Sequence, residues 1–175
     1  DNDSICENAT ATLFADAKDG KGDLTYKWYL DGELIDGAND STYVFGNIDI
    51  VEASKGYTLV AEVTDELNNI VTDTVTVTVF DYLDADAGDD TTILYNTVAD
   101  IYAVVPDSVN ASNFNFVWTP EDMVVDSEAI DTESVALTSS QTFTLTVTNK
   151  YFDACSSSDE KTVFVEGAPL DMTLY

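Results

Sequence analysis

The sequence predicts an all-β chain of two tandem β-sandwiches, on three observations. Short stretches alternate apolar and polar residues, most clearly at 72–80, where Thr and Val alternate. Clusters of Gly, Asp and Asn separate these stretches, as turns do. The order of stretches also repeats, because Trp28 and Trp118 lie 90 residues apart and Tyr57 and Phe143 lie 86 apart.

Each module carries its own set of predicted strands. In the first they fall at 9–17, 24–35, 41–45, 57–64 and 72–80, with a two-residue hairpin turn at Asp31-Gly32. Residues 47–56 are the best candidate for a helical turn. In the second module they fall at 91–94, 100–105, 113–119, 134–140, 141–149 and 161–165. Trp28 and Trp118 are expected to point inward as core residues.

The segment that follows the Thr/Val strand is acidic and small. Asp81, Asp84, Asp86, Asp89 and Asp90 surround Gly88. Such a composition buries little apolar surface, so we interpret the segment as the junction between the modules. The predicted domains are therefore 1–82 and 83–167, with 168–175 as a C-terminal extension or the start of a further segment.

Two groups of motifs resemble known sandwich families. Residues 28–45 and 55–65 resemble the Trp-bearing strand and tyrosine corner of an immunoglobulin-like domain. Asp86–Asp90, Val117–Pro120 and Thr142–Asn149 are similar to the opening, Trp segment and late strand of PKD-type repeats in bacterial surface proteins. The resemblance implies two tandem immunoglobulin-like (PKD-type) β-sandwiches. It implies little about function, because such sandwiches are general scaffolds.

The charge excludes several classes of partner. The chain has 34 acidic and 6 basic residues, with no Arg and no His, for a net charge of −28. Such a field repels nucleic acid and anionic membranes, which require Lys and Arg, and attracts cations. A simpler role is to keep an extracellular protein soluble. No run of 18 apolar residues is present, so no transmembrane span is predicted.

Residues for catalysis are missing from the sequence. A nucleophilic triad needs a base, and there is no His. The two cysteines have no adjacent cation to lower the thiol pKa, and two isolated thiols do not form a zinc site. Paired carboxylates can catalyse glycoside hydrolysis, but among 34 acidic residues some pairs will always be close, so a close pair does not indicate such a site. We therefore predict that the chain is not an enzyme.

Calcium is the one cofactor that the sequence suggests. Calcium takes six to eight oxygen ligands, and the junction offers the carboxylates of Asp81, Asp84, Asp86, Asp89 and Asp90. Asp65 and Glu66 in the first module are additional candidates. The alternative is a solvated acidic linker, since no EF-hand loop is present.

The two cysteines, Cys6 and Cys155, fall in different predicted modules. Three states are open: two unpaired buried thiols, which we favour, a bond between the two, or bonds to other copies or to neighbouring domains.

These observations favour a non-catalytic structural or adhesive module of an extracellular bacterial surface protein or filament, acting as a rigid spacer or subunit. Its partners would be other copies or neighbouring domains of the same assembly. One alternative is a carbohydrate-binding accessory module of a secreted enzyme, with glycans as partners, and another is a virion decoration or fibre protein. The tyrosines that would bind sugars are Tyr26, Tyr29, Tyr43, Tyr82 and Tyr95.

Overall fold

The computed structural model describes residues 2–50 and 52–167, so the predicted segment 168–175 lies outside the described residues. The chain divides into two compact units, residues 1–81 and 82–175. Regular structure in both is almost entirely β-strand, which confirms the predicted all-β fold class.

The first unit contains seven described strands. They are β1 (Asn2–Cys6), β2 (Thr10–Phe14), β3 (Thr25–Leu30), β4 (Glu33–Leu34), β5 (Thr42–Gly46), β6 (Ser54–Thr64) and β7 (Ile70–Phe80). One sheet has the order β1-β7-β6-β3-β4, and the second pairs β2 with β5. Strand β1 runs parallel to β7, and the other pairs are antiparallel.

The core of the first unit joins residues of both sheets. Phe45 from the small sheet packs with Tyr57, Leu59, Val77 and Val79 from the large one. The ring centroids of Phe45 and Tyr57 are 5.4 Å apart. Alternate residues of each strand therefore bury one face, as the period-2 pattern predicts.

The second unit contains six described strands and two short 3₁₀-helices. The strands are β8 (Thr91–Leu94), β9 (Asp100–Tyr102), β10 (Phe114–Thr119), β11 (Asp131–Glu133), β12 (Gln141–Asn149) and β13 (Ser156–Glu166). One sheet has the order β10-β12-β13-β8, with β8 parallel to β13, and the second pairs β11 with β9. Its core includes Ile101, Trp118, Phe143, Leu145 and Val163.

The Asp31-Gly32 pair forms the predicted hairpin turn between β3 and β4. Both residues have positive φ, 50° and 88°. A type I′ turn needs this conformation at its two central positions, and Asp-Gly adopts it at low cost. The hairpin prediction is confirmed.

The predicted helical turn at residues 47–56 is wrong. The described residues of 47–53 have no helix, and β6 begins at Ser54. Ile48 and Ile50 pack against the core, and the Ile50 N–H donates to the Glu7 carboxylate at 2.8 Å. β-Branched residues two apart suit an extended backbone that buries one side.

The strand register corrects one detail of the repeat. Trp28 pairs with Ala61, and Trp118 pairs with Leu145. Counting from these pairs, Phe143 corresponds to Leu59 rather than to Tyr57. Shifting the alignment of the two units by two residues leaves the same side chains on the same face of the strand. The sequence pattern therefore does not reveal the shift.

Candidate functional site

Residues 82–90 of the acidic segment belong to the second unit, and part of this segment is buried there, contrary to the expectation that it buries little apolar surface. Leu83 and Ala87 are buried in the core of that unit, and Ala85 packs against it. Asp84 and Asp86 lie between them and are exposed. Residues 83–87 therefore have the apolar and polar alternation of an extended segment, with the small apolar residues facing inward.

Residues 83–87 are held in place by hydrogen bonds on two sides, from β13 and from Val104. The Ser157 hydroxyl accepts from the Ala85 N–H at 2.8 Å and donates to the Leu83 carbonyl at 2.7 Å. The Asp159 carboxylate accepts from the Ala87 N–H at 2.9 Å. On the other side, the Val104 N–H donates to the Asp86 carbonyl at 2.8 Å.

The five predicted calcium ligands lie in different surroundings. The Asp86 carboxylate accepts from the Gly88 N–H, and the Asp90 carboxylate accepts from the Thr162 N–H at 2.7 Å. Asp84 and Asp89 are exposed, and Asp81 belongs to the first unit. Among residues 2–50 and 52–167, no three His, Cys, Asp or Glu side chains are grouped as metal ligands would be. Calcium binding stays a prediction.

Tyr82 adjoins this segment and has a perturbed hydroxyl. Partial burial raises the pKa of the Tyr82 hydroxyl, and the nearby Asp84 carboxylate raises it further. A hydrogen bond with Ser157 acts in the opposite direction. The phenol is thus held in its neutral form as a hydrogen-bonding group beside the acidic segment.

Asp65 organises the hairpin loop between β6 and β7. Its carboxylate accepts from the backbone N–H groups of Leu67 and Asn69, each at 2.9 Å, and from the Asn69 side chain at 3.0 Å. It also accepts from the Lys21 N–H at 3.2 Å. These bonds, led by the one from the Asn69 side chain, lower the pKa of Asp65. Asp65 therefore stabilises this loop.

Both cysteines are disulfide-bonded, and no described cysteine is a free thiol. The favoured prediction of two unpaired buried thiols is therefore wrong. The sequence did not favour a disulfide, because the two cysteines fall in different predicted modules.

The tyrosines proposed as sugar platforms are all partly buried. Tyr43 stacks on Trp28 with ring centroids 5.6 Å apart, and the Tyr29 hydroxyl donates to Glu62. Tyr26, Tyr82 and Tyr95 have intermediate exposure. Flat, solvent-facing rings in a row are therefore not formed by these five residues.

Trp28 and Trp118 are core residues, as predicted, with exposed fractions of 2% and 0%. Each indole N–H donates to a backbone carbonyl of its own unit. Trp28 donates to Asp40 at 2.9 Å, and Trp118 donates to Ala129 at 3.1 Å. Burying each indole therefore leaves no unsatisfied donor, because the loop that follows the Trp strand supplies an acceptor.

The first unit contains a groove of about 580 Å³ between its two sheets. Trp28, Leu59 and Val63 contribute to it from the interior, and Ala61 lies among them. One wall is formed by residues 13–18 and the other by residues 71–75 of β7. Sequence reasoning missed this groove, since a gap between sheets has no local pattern. Within the structure, Phe14 and Val71 mark the groove, because both are apolar yet 75% and 59% exposed.

No described helix has the length and apolar composition needed to cross a membrane.

No family model matches this chain, and no curated protein matches it either. Solved structures do match. The insect immune protein hemolin is 11% identical over 95% of this chain and 45% of its own, with a TM-score of 0.54. The fold is immunoglobulin-like. Both immunoglobulin-like units thus agree with the predicted tandem sandwiches, and the PKD-type subclass stays a prediction.

Two other solved structures have TM-scores below 0.5. The fibronectin(III)-like modules of CbhA from Clostridium thermocellum are 17% identical over 99% of this chain and 94% of theirs, with a TM-score of 0.40. A Bacteroides ovatus protein of mixed-linkage glucan utilization, SGBP-B, is 14% identical over 95% of this chain and 43% of its own, with a TM-score of 0.38.

Proposed function

We propose that the chain is a non-catalytic structural or adhesive module of an extracellular bacterial surface protein or filament. In this role the two immunoglobulin-like units act as spacers or assembly subunits. The observation that carries the proposal is the use of the acidic side chains. Asp65, Asp90 and Asp159 accept hydrogen bonds from backbone N–H groups of loops and strand edges, instead of converging on a substrate-sized pocket.

Two further observations support an extracellular location. Both cysteines are disulfide-bonded, and disulfides persist in oxidising compartments. The net charge of −28 favours solubility and disfavours association with nucleic acid.

Immunogold labelling tests the location. Antibody raised against the purified chain should label the outer surface of intact cells of the source bacterium, and cells with the gene deleted are the control. Labelling confined to the cytoplasm would contradict the proposal.

A binding and activity panel tests the absence of catalysis. We expect no turnover of glycoside, ester or peptide substrates and no signal on a glycan array. Specific glycan binding would favour the carbohydrate-binding alternative, and turnover that co-purifies with the chain would contradict a structural role.

Alkylation tests the cysteine state on which the location argument depends. Iodoacetamide should label neither Cys6 nor Cys155 without reductant and both after reduction. Comparing reduced and non-reduced chains on a gel distinguishes a bond between the two cysteines from bonds between copies. Labelling without reductant would remove the support for an oxidising compartment.

A further inference from the structure

Strand β10 of the second unit is the edge strand of its sheet and pairs with β12. In an antiparallel pair, the N–H and C=O of one residue face the partner strand and those of the next residue face away. The Trp118 N–H faces away from β12, because it donates to the Ser127 carbonyl at 2.8 Å. Phe116, two residues earlier, therefore also directs its N–H and C=O away from β12.

These two backbone groups of Phe116 have no hydrogen-bonding partner among residues 2–50 and 52–167. The donors on either side of them are used. The Phe114 N–H donates to the Ala111 carbonyl, and the Trp118 N–H donates to Ser127. The edge of β10 therefore offers one donor and one acceptor to a short extended peptide.

A cavity of about 520 Å³ lies along this edge. Its lining includes Phe116, the half-buried Ala111 and Ile130, and the exposed Glu128 and Lys150. Ala111 and Ile130 pack against the core of the second unit, so the inner wall of the cavity is apolar. The volume falls within the range of roughly 300–1,000 Å³ that is usual for small-ligand sites.

The two charged residues of the cavity lie towards opposite ends of the edge. Glu128 directly follows Ser127 and so lies near Trp118. Lys150 lies near the start of β10, because its backbone N–H donates to the Asn113 carbonyl at 2.9 Å. The cavity therefore has an anionic end and a cationic end.

Both charged groups have free capacity for a ligand. The Lys150 ammonium has three donors and uses one of them on the Ser112 carbonyl, at 2.8 Å. The Glu128 carboxylate has no hydrogen bond or ion pair in the part of the chain that the structure describes.

We propose that this cavity binds a free peptide of three residues, extended and antiparallel to β10. The middle residue of the peptide exchanges two hydrogen bonds with Phe116, one in each direction. The antiparallel direction places the amino group of the peptide near Glu128 and its carboxylate near Lys150. A parallel peptide would bring like charges together, so the charges select the orientation.

The length of the edge fits three residues. At about 3.4 Å per residue, the edge from Asn113 to Trp118 is about 17 Å long, and three residues span about 10 Å. The long side chains of Glu128 and Lys150 cover the difference.

The cavity also selects the middle side chain of the peptide. A residue directly opposite Phe116 points its side chain to the same face of the sheet, which is the interior face beside Ala111 and Ile130. An apolar middle residue is therefore favoured. The two outer residues point to the other face, with Asn115 and Val117, where polar side chains are suitable.

The first unit differs at the corresponding edge. Its strand β3 is covered in part by β4, and the Ile35 N–H donates to the Trp28 carbonyl at 2.8 Å. By strand register, Glu66 of the first unit corresponds to Lys150, and a carboxylate would repel the carboxyl end of a peptide. The first unit therefore serves as an internal control.

Titration with the peptide Thr-Leu-Thr, followed by NMR, tests the site. The peptide with free ends should shift the amide signals of residues 111–117 and 128–130. The Phe116 signal should shift most, because its N–H gains a hydrogen bond. Signals of residues 25–30 in the first unit should not move. Larger shifts elsewhere, or no saturable shift up to about 10 mM peptide, would overturn the proposal.

Peptides with blocked ends, combined with two variants, test the assigned charges. Lys150→Met should weaken binding of the free peptide about tenfold and leave binding of the C-amidated peptide unchanged. Glu128→Gln should weaken binding of the free peptide about tenfold and leave binding of the N-acetylated peptide unchanged. Glu121→Gln, at an exposed position outside the cavity, is the matched control. Equal loss of free and blocked peptides would contradict the charge assignment and overturn the proposal.

Two further peptides test the middle residue and the length. Thr-Asp-Thr should cause no shifts in the cavity, because its middle carboxylate would face the apolar wall. A longer, N-acetylated peptide that ends in Thr-Leu-Thr should bind more weakly than Thr-Leu-Thr itself. Equal binding of this longer peptide would assign the cavity to the carboxyl end of a chain and overturn the free-peptide assignment.

Discussion

The two immunoglobulin-like units differ in what the described residues place beside the sheet that carries the buried Trp. Leu83 and Ala87 are buried in the same core as Trp118 in the second unit, and the corresponding part of the first unit is the groove lined by Trp28. The sheets themselves have the same pairing, including a parallel first strand, β1 or β8, on the last one. In the second unit residues 83–87 therefore occupy the position that corresponds to the groove of the first unit.

The two units stabilise corresponding hairpins with different side chains, a carboxylate in the first and an amide in the second. In the hairpin after the central long strand, Asp65 accepts from the N–H groups of Leu67 and Asn69. At the corresponding place in the second unit, Asn149 accepts from the N–H groups of Tyr151 and Phe152. A carboxylate titrates and an amide does not, so acid should affect the two hairpins differently.

The largest loss of stability should come from truncating Phe143 in the core of the second unit. Phe143 is fully buried, so Phe143→Ala should lower the free energy of unfolding by about 3–5 kcal/mol. Leu59→Ala at the same level of the first unit should cost about 2–5 kcal/mol. Urea unfolding followed by Trp fluorescence in single-Trp backgrounds measures both. Equal midpoints for Phe143→Ala and the parent chain would contradict the core assignment.

Truncating the segment that closes the second unit should have the next largest effect. Leu83→Ala should lower the free energy of unfolding by about 2–4 kcal/mol, because Leu83 is buried with the core. The neighbouring Asp84→Ser, at an exposed position, should change it by less than about 0.5 kcal/mol. The same urea titration with Trp118 as the probe measures both. Equal effects would mean that residues 83–87 are a linker.

Acid should destabilise the first unit through Asp65. Its pKa is lowered on folding, so the ionised form stabilises the folded state. This contribution is fully present above the ordinary pKa of 3.8 and is lost as the pH falls through the lowered value. Asp65→Asn should therefore flatten the acid limb of the melting temperature plotted against pH. Asp36→Asn, at an exposed position, is the control, and an unchanged limb in both would contradict the assignment.

Calcium should give the smallest effect. The predicted ligands Asp84, Asp86, Asp89 and Asp90 belong to the second unit, so a bound ion should raise the melting temperature that Trp118 reports. Excess chelator should reverse the rise, and magnesium serves as the control ion. A melting temperature that changes with neither calcium nor chelator would contradict the prediction of calcium binding.

Pattern reasoning found most strands of both units because alternation reports one buried face directly. It missed β1 and β11, and the strand that it predicted at 134–140 is wrong, because that stretch has only isolated bridges at Ser134 and Leu137. It also identified Trp28 and Trp118 as core residues and Asp31-Gly32 as a turn. It failed at residues 47–56 because a short acidic stretch with two Ile fits a helical turn and an extended edge equally well. It named Asp65 as an additional candidate metal ligand, which stays a prediction, and did not find that Asp65 accepts the hydrogen bonds that stabilise its loop. The same residue type serves both purposes, and only its neighbours decide.

The sequence by itself determined the fold class, the tandem repeat and the strongly acidic surface, because these depend on local periodicity and composition. Only the tertiary structure decided that residues 83–87 close one sandwich, that both cysteines are disulfide-bonded and that the first unit has an open groove. The segment and the groove depend on residues distant in sequence that meet in space, such as Leu83 and Ser157, which are 74 positions apart, or Trp28 and Val75. Local patterns specify which face of a strand is buried, but not which distant segment buries it.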